Sequence, residues 1–510
     1  MRIESILKNI DEQGTRRGYS FETFVLNLLK HHLSTQNKEL EIGNTLTFFD
    51  AIAPDGFDDY REKVCFEVKY DANSLLNKAT SSFLSKFLAQ LESIPFDARP
   101  TTLIIISATN IQDQVKVFVQ RVGNSNSKST CRIVFWGPDE LNKLVTKHPA
   151  KANEISNNLF ALRLEAAVNP AEQDWRKKRD TTVQNLKDSF DRGQLSLFLG
   201  AGVSSSAGMP GWGNLLNSLF ISYLTQEFDT DKTINISEIP EMVDRLNKVS
   251  ESSPLMGARY IRKGLTGKTP ATDNFVNAIT ESLYELRNKS FNISSPLIQE
   301  IAIMCMPRRT GAKVKSVVNY NFDDLLERQL TTSGISHRSI YTESEAYDPE
   351  ELPVYHVHGF LPENRKNYNS LEKSTLVFSE EGYHHIYTNA YHWSNLVQLN
   401  CLRENNCLMI GLSMTDPNLR RLLDISARSV EQNKHFAFMK RLDLHEFCYE
   451  VTNGEQSTIV KNTKGAQKFL DTHHALNEEL MLELGVNIIW YENYGEIPKI
   501  LHTISRTRGS

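Results

Sequence analysis

Paired cysteines are the first feature that this sequence lacks. Its six cysteines are scattered over 510 residues, and no Cys-x-x-Cys pair occurs. Scattered cysteines are typical of reduced thiols and argue against a structural zinc site, which needs paired ligands. No apolar run approaches the roughly 18 residues that would span a bilayer, and the start, MRIESILKNIDEQG, lacks the apolar core of a secretory signal. We therefore expect a cytoplasmic protein that does not bind membranes.

A strong charge of either sign is also missing. The 57 lysines and arginines against 62 aspartates and glutamates leave a formal net charge of -5, which provides no overall attraction for nucleic acid. We find no internal repeat and no low-complexity segment. A chain of 510 residues exceeds the size at which one hydrophobic core stops growing, so two or three domains are predicted.

Short apolar strands alternate with helical patterns in two stretches of the chain, which predicts an α/β fold for each. In residues 1–165, strand signals occur at 45–53, 64–70, 101–108 and 132–137, and helical spacing at 18–33 and 81–94. The polar segment 166–192 predicts a connecting helix that ends at Gly193. In residues 193–505, a mostly helical insert at about 215–306 interrupts strand signals at 195–199, 314–321, 352–360, 374–378, 407–413, 434–439 and 486–492. This second pattern predicts a Rossmann-like, mainly parallel sheet covered on both faces.

The first strand of the second stretch runs into a glycine turn, LSLFLGAGVSSSAGMPGWG. Gly200 and Gly202 have no side chain to block the approach of backbone N–H groups to a pyrophosphate. Dinucleotides bind at such strand-to-helix turns in doubly wound sheets. The third glycine of the usual fingerprint would fall at position 205, where Ser205 stands, so the turn by itself is weak evidence.

Three further segments follow apolar strands: VVNYNFDDLL (317–326), YHVHGFL (355–361) and MIGLSMTDP (409–417). Together with the glycine turn they resemble, in order and character, the sirtuin family of NAD-dependent enzymes over about 190–500. The resemblance implies a dinucleotide loop, contacts to the nicotinamide end and its ribose, a catalytic histidine and an adenine-side loop. By motif, the dinucleotide loop is Gly200, Ala201, Gly202 and Ser204. The contacts to the nicotinamide end and its ribose are Asn321 and Asp323, and the catalytic histidine is His358. The adenine-side loop is Gly411 and Ser413, with Asp416 close by.

The sequence departs from the deacylases of that family in two places. Four zinc-binding cysteines should follow the His-Gly motif, but only Cys401 and Cys407 follow it closely, and Pro210-Gly211-Trp212-Gly213 replaces a Pro-Asp-Phe-Arg motif. These departures resemble the zinc-free sirtuin-like domains of bacterial antiphage effectors, which hydrolyse NAD to nicotinamide and ADP-ribose. The resemblance implies NAD as the substrate and no zinc in this domain.

The candidate residues suit cleavage of the bond between nicotinamide and ribose, which passes through an oxocarbenium-like state. Asn321 could orient the ribose or water, His358 could accept a proton, and Asp323 could offset the developing charge. Other interpretations stay open. Asn321 and Asp323 could cap the helix that starts at Asp324; His356 and His358 could be a buried pair or two metal ligands; Trp490 and Tyr491 could be core residues or line an adenine pocket.

A second group of candidate residues lies near the N-terminus. Asp50 and the pair Glu67 and Lys69 lie on two strands that could be adjacent, and Glu22 lies on the preceding helix. Two carboxylates can hold a magnesium ion while a lysine helps to activate water, so magnesium at Asp50 and Glu67 is predicted. This pattern resembles the restriction-endonuclease-like fold, in its Mrr-type branch, over residues 1 to about 150. With twenty basic and twenty acidic residues in 1–165, the domain could cut or bind nucleic acid through a local groove, or serve in sensing, assembly or partner binding.

These patterns predict an NAD hydrolase that depletes NAD in bacterial antiphage defence, by abortive infection. The alternatives are a nuclease effector whose sirtuin-like domain senses NAD or ADP-ribose, an NAD-dependent deacylase, and a scaffold without catalysis. Because an enzyme that drains the NAD of its own cell must be silent until needed, we expect control by a partner subunit, a nucleotide trigger or oligomerisation.

Overall fold

A computed structural model describes most of the chain, in two compact units. The described residues are 2–11, 17–42, 49–73, 100–125, 131–159, 161–162, 175–227, 235–249, 272–378, 380–428, 434–452 and 455–506. The first unit consists of Met1–Lys177, Ala427–Asn433 and Phe447–Glu483; the second unit consists of Lys178–Ser426, Lys434–Glu446 and Leu484–Ser510.

The first unit contains a five-stranded mixed sheet in the order β1-β2-β3-β4-β5. Its strands are β1 (Glu41–Ile42), β2 (Ala51–Ala53), β3 (Val64–Lys69), β4 (Thr102–Ser107) and β5 (Arg132–Trp136). Its helices up to residue 162 are α1 (Ile3–Asp11), α2 (Arg17–Ser34), α3 (Asp113–Ser125), α4 (Pro138–Lys147) and α5 (Pro149–Asn157). The pairs β1–β2 and β2–β3 are antiparallel, whereas β3–β4 and β4–β5 are parallel.

Apolar side chains cover both faces of this sheet. Because successive strand residues point to opposite faces, Val64 and Phe66 join a core with α1, α2, α4 and α5, while Cys65 joins a second core with α3. The strands predicted at 64–70, 101–108 and 132–137 and the helix at 18–33 are confirmed. Of the strand predicted at 45–53, only β2 lies within the described residues as a strand; the helix predicted at 81–94 lies outside them.

From residue 175 onward the elements follow in this order. The helices are α6 (Trp175–Asp191), α7 (Ala201–Ser205), α8 (Trp212–Glu227), α9 (Ile239–Val249), α10 (Thr272–Glu285), α11 (Pro296–Cys305), α12 (Leu325–Thr332), α13 (Glu380–Thr388), α14 (Trp393–Glu404), α15 (Pro417–Ala427), α16 (Leu444–Cys448), α17 (Thr463–Glu483) and α18 (Glu496–Ser505). The strands are β6 (Leu195–Leu199), β7 (Val314–Asn319), β8 (His337–Ile340), β9 (Leu352–His356), β10 (Asn406–Ile410), β11 (His435–Lys440), β12 (Tyr449–Thr452), β13 (Glu455–Thr458) and β14 (Val486–Tyr491). Of these, β12, β13 and α17 belong to the first unit.

The second unit is built on a seven-stranded sheet in the order β14-β11-β10-β6-β7-β9-β8. Every neighbouring pair of strands is parallel, which confirms the predicted parallel sheet. The chain begins at β6 in the middle, builds β7, β8 and β9 on one side, and then crosses to build β10, β11 and β14 on the other. The strand order therefore reverses between β6 and β10, and ligands bind beyond the carboxyl ends of strands at such a switch point.

The connecting helix predicted at 166–192 is a helix in its described part, which begins at residue 175. Helix α6 ends at Asp191, and Gly193 follows with a φ of +68°, a left-handed conformation that suits glycine at a helix end. The predicted insert is helical in its described part, through α8 to α11, and 228–234 and 250–271 lie outside that part.

The strand predicted at 374–378 is wrong. This segment is not part of the sheet; the N–H of Val377 donates to the carbonyl of His358 at 2.8 Å. Val377 and Phe378 are buried, so the apolar run indicated burial and not sheet pairing. Among the helices of the described residues, none combines the length and apolar character that a bilayer crossing requires.

Candidate active site

Four loops meet at one edge of the parallel sheet. Strands β10, β6, β7 and β9 are consecutive neighbours, so the segments that follow them lie at the same carboxyl edge. These segments carry the candidate residues of the second unit: Gly200, Ala201, Gly202 and Ser204 after β6; Asn321 and Asp323 after β7; His358 after β9; and Gly411, Ser413 and Asp416 after β10. The sheet therefore brings together, at its switch point, motifs that are up to 216 positions apart in the chain.

The glycine turn after β6 packs directly against the loop after β10. The N–H of Gly202 donates to the carbonyl of Gly411 at 2.9 Å, and that of Gly200 donates to Ile410 at 2.9 Å. A Cβ atom on Gly202 would lie 2.7 Å from the Cα of Gly411, which itself has a φ of +69°. Position 202 therefore requires glycine because the two backbones approach closely, in addition to the space that a phosphate would need.

Asn321 is tied to the glycine turn and not to a helix end. Its side-chain Nδ2 donates to the carbonyl of Gly200 at 3.0 Å, and its backbone N–H donates to Asn319 Oδ1 at 3.1 Å. The side chain is buried. The open alternative that Asn321 caps helix α12 is therefore wrong in this structure, because its amide reaches the neighbouring strand instead.

Asp323 combines a helix contact with a contact to the glycine turn. Its Oδ1 accepts the N–H of Leu325, the first residue of α12, at 3.2 Å, and its carboxylate accepts the hydroxyl of Ser204. Burial raises the pKa of Asp323 to about 6, and the bonds from Ser204 and Leu325 oppose this rise. Asp323 therefore contacts the start of helix α12, as the capping alternative predicted, and it also contacts Ser204 of the glycine turn.

His358 presents a buried nitrogen that has no hydrogen-bond partner among the described residues. Its Nε2 lies 3.9 Å from Asp416 Oδ2, beyond hydrogen-bonding distance, and the ring contacts Tyr320 and Tyr383 edge-on at centroid distances of 4.8 and 5.8 Å. Burial lowers the pKa of His358, and the carboxylate of Asp416 opposes this effect. A neutral imidazole with a free nitrogen is the form that can accept a proton.

Asp416 is better placed to act on His358 than sequence reasoning suggested. Its Oδ2 accepts the hydroxyl of Tyr383 at 2.6 Å, and its Oδ1 accepts the N–H of Leu419 in α15 at 2.7 Å. Sequence reasoning grouped Asp416 with the adenine-side loop and missed Tyr383 altogether. Tyr383 lies in a helical segment 33 positions before Asp416, and only the packing of α13 on this loop shows its role.

Four other predicted positions fall elsewhere. Ser413 is exposed, and its hydroxyl pairs with that of Thr415 at 2.6 Å. Trp490 and Tyr491 are buried on the edge strand β14, as expected of core residues. His356 does not share a partner with His358: its Nε2 contacts Glu327 and its Nδ1 contacts the carbonyl of Asn321.

The candidate residues of the first unit also come together. Lys69 Nζ lies 2.5 Å from Glu67 Oε1, and Asp50 Oδ2 accepts the N–H of Val68 at 2.7 Å. Burial, and then the charge of Asp50, raises the pKa of Glu22 to about 8, while Lys69 opposes this rise. The same causes raise the pKa of Glu67 to about 7. Three carboxyl groups thus share one ammonium group.

Magnesium at Asp50 and Glu67 stays a prediction. The oxygen donors suit the ion, and Glu67 Oε2 is buried without a hydrogen-bond partner. Within the described ranges, however, no three histidine, cysteine, aspartate or glutamate side chains are arranged to hold a metal ion. In the structure, Lys69 supplies the positive charge that faces these carboxylates.

Two comparisons show what this chain is similar to. A model of the SIR2-like domain matches residues 315–459, which include the loops after β7, β9 and β10. A curated relative named NAD(+) hydrolase ThsA, from Enterococcus faecium, is 20% identical over 329 residues, which are 64% of this chain and 58% of that protein. The chain thus matches little more than half the length of this relative. Residues 315–459 are similar to SIR2-like domains, and the chain is similar over part of its length to an NAD hydrolase.

Proposed function

We propose that the second unit hydrolyses NAD to nicotinamide and ADP-ribose, and that this activity depletes NAD in bacterial antiphage defence. The observation that carries the proposal is the buried, unpartnered Nε2 of His358 at the switch point, beside the loop that holds Asn321. The name of the relative, an NAD(+) hydrolase, supports the same substrate.

In the proposed reaction, water attacks the ribose carbon while the bond to nicotinamide breaks. Nicotinamide leaves as a neutral molecule with the bonding electrons, and His358 Nε2 accepts the proton of the attacking water. Asp416, at 3.9 Å, stabilises the imidazolium that forms, and its own position is held by Tyr383. Asn321 orients the ribose or the water, and the carboxylate of Asp323 offsets the positive charge on the sugar.

Release of nicotinamide tests this proposal. The purified chain, alone and with the products of neighbouring genes, is incubated with NAD, and Asn321→Ala and His358→Ala are compared with the wild type. Each substitution should reduce turnover by about 10² or more, the usual contribution of a positioned acid-base group. Matched controls at the opposite edge of the sheet are Asn406→Ala and His337→Ala, at the amino ends of β10 and β8. If turnover survives both site substitutions, the assigned roles are wrong.

Such an activity requires control. We propose that the trigger is a partner protein or a nucleotide that changes the oligomeric state or the arrangement of this site. Activity should then be low for the isolated chain and rise with the trigger, while NAD binding changes less than turnover does.

A nuclease is the second candidate function, and it rests on the first unit. Glu22, Asp50 and Glu67 all act electrostatically on Lys69. Glu67 and Lys69 lie on strand β3, Asp50 immediately precedes strand β2, and Glu22 lies in helix α2. This grouping supports the proposed resemblance of the first unit to the restriction-endonuclease-like fold. In this candidate the second unit only senses NAD or ADP-ribose.

Toxicity in a bacterial host separates the two candidates. The nuclease predicts that Glu67→Ala or Lys69→Ala abolishes toxicity and magnesium-dependent DNA cleavage, while His358→Ala does not. The NAD hydrolase predicts that His358→Ala abolishes toxicity, while Glu67→Ala and Lys69→Ala do not. An acyl-peptide-dependent release of nicotinamide would instead favour a deacylase.

A further inference from the structure

His356 and Glu327 form a buried pair directly behind the candidate active site. His356 ends strand β9 and Glu327 lies in helix α12. The imidazole Nε2 lies 2.6 Å from Glu327 Oε1, and the two side chains are 0% and 2% exposed. The ring of Phe360 packs against the imidazole at 4.0 Å. Glu327 lies outside the motifs that suggested the function, and His356 lies within the motif 355–361 without an assigned role.

The hydrogen bonds determine how many protons the pair holds. His356 Nδ1 lies 3.2 Å from the carbonyl of Asn321, which can only accept, so this nitrogen carries a proton. The contact between Nε2 and the carboxylate requires a second proton. The pair therefore holds two protons and is electrically neutral as a whole, whichever atom carries the bridging one. Neutrality explains how both groups can be buried.

Stability alone does not account for this pair. A buried ion pair is often no more stabilising than apolar side chains of similar size. Glu327 Oε2 is buried and has no hydrogen-bond partner in the part of the chain that the structure describes, so the carboxylate is not fully satisfied. Its one strong contact is to His356, and the second contact of His356 is to the backbone of Asn321.

Asn321 is thereby held from three directions. Its N–H is bonded to Asn319 Oδ1, its carboxamide to the carbonyl of Gly200, and its own carbonyl to His356. The first two contacts come from β7 and from the glycine turn. The third comes from β9, the strand that leads into His358, so His356 links the two candidate catalytic loops.

We propose that His356, oriented by Glu327, is a positioning residue that fixes the backbone of Asn321 and so aims its carboxamide for catalysis. This inference rests on the proposed NAD hydrolysis. In this proposal the imidazole acts without contact to the substrate. It fixes the loop after β7 relative to strand β9. Displacement of a catalytic group by about 1 Å can reduce turnover by about 10².

Two substitutions of His356 separate its two contacts. In His356→Asn the side-chain amide lies near the position of Nδ1 and can still donate to Asn321, but Glu327 loses its partner. In His356→Gln the amide lies near the position of Nε2 and can still reach Glu327, but Asn321 loses its donor. The positioning role predicts a loss of kcat of at least 10-fold for His356→Gln, with little change in KM, and a clearly smaller loss for His356→Asn.

Thermal stability should follow the opposite order. His356→Asn leaves a buried carboxylate unpaired, so its Tm should fall further than that of His356→Gln. If kcat follows Tm across the two variants, the pair is merely structural and the inference is overturned. The same two substitutions at His337, whose Nδ1 contacts the carbonyl of Ile335 at 2.9 Å, are the matched control.

Hydrogen exchange keeps this test separate from the proposed function. Amide exchange in the segment 319–324 should speed up in His356→Gln and remain close to wild type in His356→Asn. Equal exchange in both variants overturns the positioning role, whether or not NAD is cleaved. Absence of NAD cleavage by the wild type together with the expected exchange pattern refutes the proposed function alone.

Discussion

Replacement of Asp323 by asparagine should make the protein more stable and less active. Asp323 is 5% exposed, and burial raises its pKa from the ordinary value of 3.8 to about 6. The folded protein therefore binds this proton more tightly than the unfolded chain does. The corresponding contribution to stability is fully present below pH 3.8 and is lost as the pH rises through about 6.

The expected gain follows from this difference. At 1.36 kcal/mol per pH unit, the interval from 3.8 to about 6 amounts to about 3 kcal/mol of unfavourable free energy above pH 6. Asparagine carries no charge at any pH, and the pKa of about 6 already includes the opposing effect of the bonds from Ser204 and Leu325. A gain of about 3 kcal/mol corresponds to a rise in Tm of about 6 °C for a unit of this size.

Scanning calorimetry from pH 4 to pH 8 checks this prediction. The difference in Tm between Asp323→Asn and the wild type should be close to zero at pH 4 and largest at pH 8, while nicotinamide release falls. Asp348→Asn is the control, because Asp348 is exposed. A difference in Tm that is the same at pH 4 and pH 8 would refute the argument that the buried charge opposes folding.

Three further predictions concern other contacts of the described residues. Asp416→Asn should lower the pKa of His358 and move the acid limb of the pH-rate profile to lower pH, and Tyr383→Phe should move that limb to higher pH, because the phenol no longer shares the carboxylate. Gly411→Ala should lower the free energy of unfolding by about 1–3 kcal/mol, because its Cβ would lie 2.6 Å from the nitrogen of Val203. The control Gly213→Ala should not destabilise the protein, because its Cβ meets nothing within 4 Å. Chemical denaturation measures both variants. Lys69→Met should lower Tm more at pH 8 than at pH 5, because Glu67, with its pKa raised to about 7, can take up a proton at the lower pH.

Much of the local structure could be predicted from the sequence. Apolar runs of five or six residues identified strands such as β6 and β10, because a strand buried on both faces needs apolar side chains at every position. Gly193 marked the end of α6 because a left-handed residue is needed there. The strand predicted at 374–378 was wrong because an apolar run indicates burial, and a buried segment need not pair with a sheet.

The partners of the site residues could not be predicted. Asp416 was grouped with the adenine-side loop by motif, but in the structure it lies beside His358. Glu327 lies outside every motif of the sequence, but it is buried against His356. Such contacts join residues 29 to 58 positions apart, and no local pattern of side chains encodes them.

The sequence by itself determined which segments become strands, helices and glycine turns, since these depend on side chains within a few positions of one another. It also placed polar candidate residues at strand ends and indicated NAD chemistry by resemblance. Only the tertiary structure decided that β10, β6, β7 and β9 are neighbours, that Gly202 packs on Gly411, and that His356 bridges to Asn321. The reason is physical: strand order and loop contacts result from the joint packing of helices on both faces of the sheet, which is a property of the whole chain and not of any one segment.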